Sequence, residues 1–103
     1  MEKTNDALKI LENIHRNDPE LQEIVITASI NAEVAQLIYE ARIQAGLTQK
    51  QLADLVGTKQ PVIARLEDAD YEGHSLSMLQ KIASALNKQV KISLTPIEDE
   101  QYV

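Results

Sequence analysis

The stretch GLTQKQLADLVGTKQPVIARLE, residues 46–67, decides the fold. Thr48 and Gln51 stand three apart, the spacing of a capping box in which a hydroxyl accepts from the backbone ahead and an amide reaches back. Leu52, Ala53, Leu55 and Val56 then form the apolar face of a short helix, and Gly57 supplies the turn that ends it. Thr58 caps a second short helix over residues 59–67, with Ile63 and Leu66 directed inward. Pro61 would break a helix interior, but in a first turn its missing N–H has no intrahelical partner to lose. Two short helices, a glycine turn between them and a small Ala53 that permits close crossing are the requirements of a helix-turn-helix.

Outward from this stretch the helical periodicity continues. Val34, Leu37, Ile38, Ala41 and Ala45 make one apolar face of a helix capped by Asn31 and closed by Gly46. Asp18-Pro19-Glu20 is a helix-start signature followed by Leu21, Ile24, Val25 and Ala28, although the β-branched run 24–27 suits a strand as well. Residues 5–16 place Ala7, Leu8, Ile10, Leu11 and Ile14 at helical spacing. Downstream, Ser75 caps a helix with Leu76, Leu79, Ile82, Ala83 and Leu86 at core spacing, ending near Asn87. In QVKISLT, residues 89–95, Val90, Ile92 and Leu94 alternate with polar residues, the pattern of a half-buried strand stopped by Pro96.

The central stretch resembles the Cro/CI-type (XRE) helix-turn-helix family through its T-Q-x-x-L-A-x-x-x-G-x-x-Q-x-x-I-x-x-L-E pattern, and with flanking helices the resemblance spans residues 31–87. It implies an all-α, lambda-repressor-like helix-turn-helix bundle at residues 31–88, preceded by a helical extension over 1–30 and followed by a dimerising strand and acidic tail over 89–103. It also implies sequence-specific binding of double-stranded DNA, with the second helix of the motif in the major groove. Carried over residue by residue, Gln49 resembles the family's phosphate-clamping glutamine, and Lys59 and Gln60 open the recognition helix, with Arg65 further along its outer face. The amide of Gln60 can pair with adenine N6 and N7, and Lys59 or Arg65 with guanine or phosphate. Lys50, Thr58, Pro61 and Val62 complete the expected DNA-binding set, Val62 being suited to a thymine methyl or to the core.

Composition limits the other readings. A chain of 103 residues builds one domain, and the absence of Phe and Trp leaves a core of Leu, Ile, Val and Ala that favours packed helices. There is no cysteine, and His15 and His74 lack ligand spacing, so no metal site or cofactor is expected. The acidic pairs join no histidine, cysteine or phosphate loop in a catalytic constellation, and an enzyme is not expected. No apolar run approaches the ~18 to 20 residues that span a bilayer, and the start MEKTNDALK lacks a signal-peptide layout, which leaves a cytoplasmic location as the expectation.

The net charge of −6 sets the main difficulty for a DNA-binding reading. Phosphate is neutralised locally, so an acidic chain can bind DNA if Gln49, Lys50, Lys59 and Arg65 share a face and the acids lie elsewhere. After Leu66, however, the chain carries Glu67, Asp68, Asp70 and Glu72, where many relatives place a Gly- and Lys-containing loop. Glu67 fits the family pattern, and the resemblance implies a structural role for it; Asp68, Asp70 and Glu72 are either a solvated loop or a landing site for a cationic partner.

One strand cannot satisfy its own backbone groups, so Val90, Ile92 and Leu94 are expected to pair across a two-fold axis with a second copy, giving a homodimer suited to a palindromic operator. The competing arrangement pairs this strand with residues 24–27 of the same chain. The added N-terminal segment, the acidity and the small size resemble a HigA-type antitoxin, which implies repression of its own operon and a basic toxin partner. A stand-alone phage-type repressor and a protein-binding adaptor without DNA binding are the alternatives.

Overall fold

The computed structural model describes residues 18–97, so the helix expected over 5–16 and the end of the acidic tail lie outside the described residues. Four helices are described: α1, Pro19–Gln44; α2, Gln49–Val56; α3, Gln60–Leu66; and α4, Leu76–Ala85.

Helix α1 begins where Asp18 accepts from the Leu21 N–H at 3.1 Å, with Pro19 pre-set in the first turn. It then runs unbroken for 26 residues. One expectation is corrected here, since Asn31 lies in the helix interior and caps nothing; of the two readings of the β-branched run 24–27, the helix is the one that forms. The penalty for that run is a few tenths of a kcal/mol per residue. A strand there would need a partner for its backbone groups, and no strand pairing occurs among the described residues. The helix closes through Gly46 at φ 73°, whose N–H donates to Ile43 O at 2.9 Å.

The core lies where α2, α3 and α4 meet the C-terminal half of α1. Ile38, Leu52, Ala53, Ile63, Leu66 and Ile82 are buried together, Leu52 and Ile63 completely. The face that α1 turns inward is Ala35, Ile38 and Arg42, with Val34 packed against the core and Ala41 half-buried, so three members of the expected stripe face inward while Leu37 and Ala45 do not. Leu37, expected in the core, is 59% exposed; Leu55 and Leu76 are likewise on the surface. Apolar periodicity passes over Arg42, which lies on that inward face as well.

The motif closes as its local chemistry dictates. Thr48 and Gln51 form the complete capping box at 3.1 and 2.9 Å, and Gly57 at φ 87° turns the chain. The N–H groups of Gly57 and Thr58 both donate to Ala53 O at 2.9 Å. Thr58, expected as the cap of α3, lies in the turn one residue before the cap position. Lys59 holds the cap position without a side-chain hydrogen bond, and Pro61 is the second residue of the helix. Ser75 caps α4 by accepting from the Met78 N–H at 3.1 Å, and Asn87 at φ 58° ends that segment.

Residues 88–97 form no strand, contrary to the expected C-terminal β-strand. The physical reason is the lack of an edge to pair with, since residues 24–27 are helical. Val90, Ile92 and Leu94 are all exposed.

Candidate nucleic-acid interface

The capping box and the turn glycine set the N-terminal ends of α2 and α3 beside each other, bringing residues 49 and 60 into contact. Gln60 Nε2 donates to Gln49 Oε1 at 2.7 Å, and Gln49 Nε2 donates to Glu67 Oε1 at 3.1 Å. Glu67 in turn accepts from Arg42, Nε to Oε2 at 2.6 Å and Nη2 to Oε1 at 2.9 Å. Arg42 Nη1 reaches the carbonyl of Leu47 at 2.9 Å, tying the end of α1 to the start of the motif. A continuous chain of side chains thus runs from the interior ion pair to the exposed amide of Gln60.

The polarity of this chain follows from its inner end. An ionised carboxylate only accepts, so Gln49 must turn its NH2 toward Glu67 and its oxygen outward. Gln60 must then turn its NH2 toward Gln49. One N–H of Gln60 is committed, while its second N–H and its oxygen remain for a ligand, the donor and acceptor that an adenine edge requires.

Arg42 and Glu67 are almost wholly removed from solvent, their side chains 9% and 5% exposed. The guanidinium also lies 5.3 Å from the Tyr39 ring centroid, within cation–π range. Hydrogen bonding to Glu67 pushes the Arg42 pKa further above its already high ordinary value, against an opposing effect of burial, with the charge of Glu67 and then Tyr39 adding to the rise. The guanidinium stays charged at neutral pH, and each of its three nitrogens donates within the protein, two to Glu67 and one to Leu47 O.

The remaining expected residues fall around this point. Lys59, Gln60, Pro61 and Arg65 are exposed, and Gln49, Thr58 and Val62 half-buried. Lys59 and Arg65 make no ion pair among the described residues, so the expected competition of Glu67, Asp68 and Asp70 for Arg65 does not arise there. Lys50 is exposed and held by Asp54 at 3.4 Å, one turn along α2. Val62 packs against the core. Val90, Ile92 and Leu94 belong to the C-terminal segment and are not part of this face.

The acidic loop beyond α3 is organised by its own backbone. Asp68 accepts from the Asp70 N–H at 2.9 Å. His74 Nε2 lies 2.7 Å from Leu66 O and therefore carries the proton, and its ring meets Tyr71 edge to face at 5.0 Å. Gly73 lies against the end of the Tyr71 ring, which would have to shift to admit a Cβ there. Asp68, Asp70 and Glu72 point into solvent, while Glu67 alone turns inward.

Sequence reasoning singles out the two glutamines and reads Glu67 as structural through the family pattern, but it misses Arg42 and the ion pair that holds Glu67 inward. The available signal is a single arginine on the apolar face of a helix, since a buried guanidinium demands a carboxylate partner.

Residues 38–92 match the family described as Helix-turn-helix. An uncharacterized HTH-type transcriptional regulator of Haemophilus influenzae is similar over 76 residues at 33% identity, covering 74% of this chain and 72% of the relative.

Proposed function

The chain belongs to the helix-turn-helix family, of Cro/CI type, and from that premise we propose that it is a sequence-specific transcriptional repressor that reads adenine through Gln60 in the major groove. The observation that carries this reading is the hydrogen-bonded line from Arg42 through Glu67 and Gln49 to Gln60. It fixes the outermost amide in one polarity before any ligand arrives, which removes part of the ordering cost of a bidentate contact. Gln49, at the first position of α2, approaches phosphate with the positive helix end behind it. Lys59 and Arg65 add charge to the same face, so the acids of the chain need not oppose binding.

In this reading the repressor acts as a homodimer on a palindromic operator, with the exposed Val90, Ile92 and Leu94 covered by a second copy. Two recognition helices one DNA turn apart, about 34 Å, would address the two half-sites. The net charge of −6 and the exposed Asp68, Asp70 and Glu72 further suit the antitoxin of a type II pair, in which the protein represses its own operon and binds a basic toxin. Its place of action is then the cytoplasm.

The test is a gel shift with the region upstream of its own gene, using the chain and Gln60→Ala. A repressor shifts the fragment, and the substitution abolishes the shift. A protein-binding adaptor gives no shift with either. Coexpression with the small basic product of a neighbouring gene, followed by affinity purification, separates an antitoxin from a stand-alone phage-type repressor: only the former brings down the product.

A further inference from the structure

Helix α1 carries a second surface that the DNA reading does not use. Positions 23, 26, 30, 33, 37, 40 and 44 alternate in steps of three and four, the spacing that keeps side chains on one face of a helix. They are Glu23, Ile26, Ile30, Glu33, Leu37, Glu40 and Gln44, and all are exposed. The apolar members are substantially so: Ile26 by 44%, Ile30 by 53% and Leu37 by 59%. This face turns away from Ala35, Ile38 and Arg42, which pack inward. Among the described residues nothing covers these three branched apolar residues, which stand in one row with Glu23, Glu33 and Glu40.

The charge of the row selects its occupant. Residues 17–41 contain no lysine or arginine, while Asp18, Glu20, Glu23, Glu33 and Glu40 are acidic. A second copy of α1 would bring acids to acids with no cation from either helix to separate them, and like charges at helical contact spacing are destabilising. A neutral apolar helix would remove Glu33 from water between Ile30 and Leu37 without a partner, a costly burial. A helix whose apolar row is flanked by lysine or arginine satisfies both demands: apolar side chains meet Ile26, Ile30 and Leu37, and the cations meet Glu23, Glu33 and Glu40.

We propose that the 23–44 face of α1 is a docking surface for an amphipathic, basic helix of a second protein. Anchors at i, i+4, i+7 and i+11 along one helix are the pattern of helix-mediated recognition. The surface stands apart from Gln60, so this inference holds whether or not that residue reads DNA.

A designed 21-residue helix, with leucine at the three-four positions and lysine beside them, serves as the probe; its counterpart carries glutamate beside the same leucines. Fluorescence anisotropy of each labelled peptide is followed against the full chain, against Ile30→Gln/Leu37→Gln and against Leu55→Gln, which alters an exposed leucine on α2. Circular dichroism verifies that each variant is folded. The lysine peptide is expected to bind at least tenfold tighter than the glutamate peptide, to lose at least tenfold on the double variant and to be unaffected by Leu55→Gln. Equal binding of the two peptides, or equal binding to chain and double variant, would overturn the proposal. So would sedimentation showing that the chain self-associates and that Ile30→Gln/Leu37→Gln abolishes it, since the face would then belong to a second copy. Failure of the gel shift with Gln60 intact would leave these outcomes unchanged, which keeps the two readings separable.

Discussion

Glu67 closes an ion pair, holds an amide and sets the polarity of a second amide beyond it. It accepts from Arg42 twice and from Gln49 once, which uses most of a carboxylate's capacity. Removing it by Glu67→Ala leaves a buried guanidinium unpaired and should destabilise the fold by about 3 to 5 kcal/mol, read as a lower urea midpoint. Replacing both partners, Arg42→Met with Glu67→Leu, should restore most of that stability, because well-packed apolar residues replace buried ion pairs at little cost. DNA affinity should remain at least tenfold reduced in the double variant, since Gln49 has lost its acceptor; recovery of affinity along with stability would show that the carboxylate has no role beyond packing. The pH dependence has a definite sign. The folded pKa of Arg42 is raised, so its contribution is complete below its ordinary value and is lost only as pH climbs through the higher folded one. The stability difference between the chain and Arg42→Met should therefore be the same at about pH 7 and about pH 10, insofar as Arg42 sets it.

At the level of elements, the motif is held by devices that are local in sequence. Thr48→Ala removes a cap that accepts from the Gln51 N–H and should cost about 1 kcal/mol in chemical denaturation. Gly57→Ala meets nothing within 4 Å, yet φ is +87°, so a penalty of about 1 to 2 kcal/mol should appear from backbone strain alone. These features are legible in the sequence because capping boxes and turn glycines are written in neighbouring residues. What is not legible has non-local causes. The burial of Arg42 depends on its pairing with Glu67, 25 residues away, and the exposure of Leu37 on which side of α1 the other helices pack. The cap of α3 is Lys59 and not Thr58, because the turn that closes on Ala53 O extends one residue further than residue type suggests. The C-terminal alternation of Val90, Ile92 and Leu94 is a true strand pattern, but pairing requires an edge that the described residues do not supply. Gln49 and Gln60 are identified singly, by their resemblance to a family pattern; their hydrogen bond, and hence the polarity of the pair, requires the crossing geometry of two helices.

For the molecule as a whole, the question is how a chain of net charge −6 approaches a polyanion. The charges are partitioned locally: Lys59 and Arg65 are exposed without an ion pair among the described residues and Glu67 is neutralised by Arg42, while Asp68, Asp70 and Glu72 remain exposed in the loop after α3. Binding should weaken with salt, and Arg65→Ala should reduce the steepness of that dependence by about 0.9 in log–log slope for each phosphate that Arg65 neutralises. The central claim is tested most directly by fluorescence anisotropy with the chain's own upstream duplex, native or with its half-site adenines replaced by 7-deazaadenine, which lacks the N7 acceptor. If Gln60 pairs with an adenine edge, the chain loses about tenfold in affinity on the modified duplex, while Gln60→Ala binds both duplexes equally and weakly. Undiminished binding of the chain to the modified duplex, or an equal loss by Gln60→Ala, would contradict that pairing.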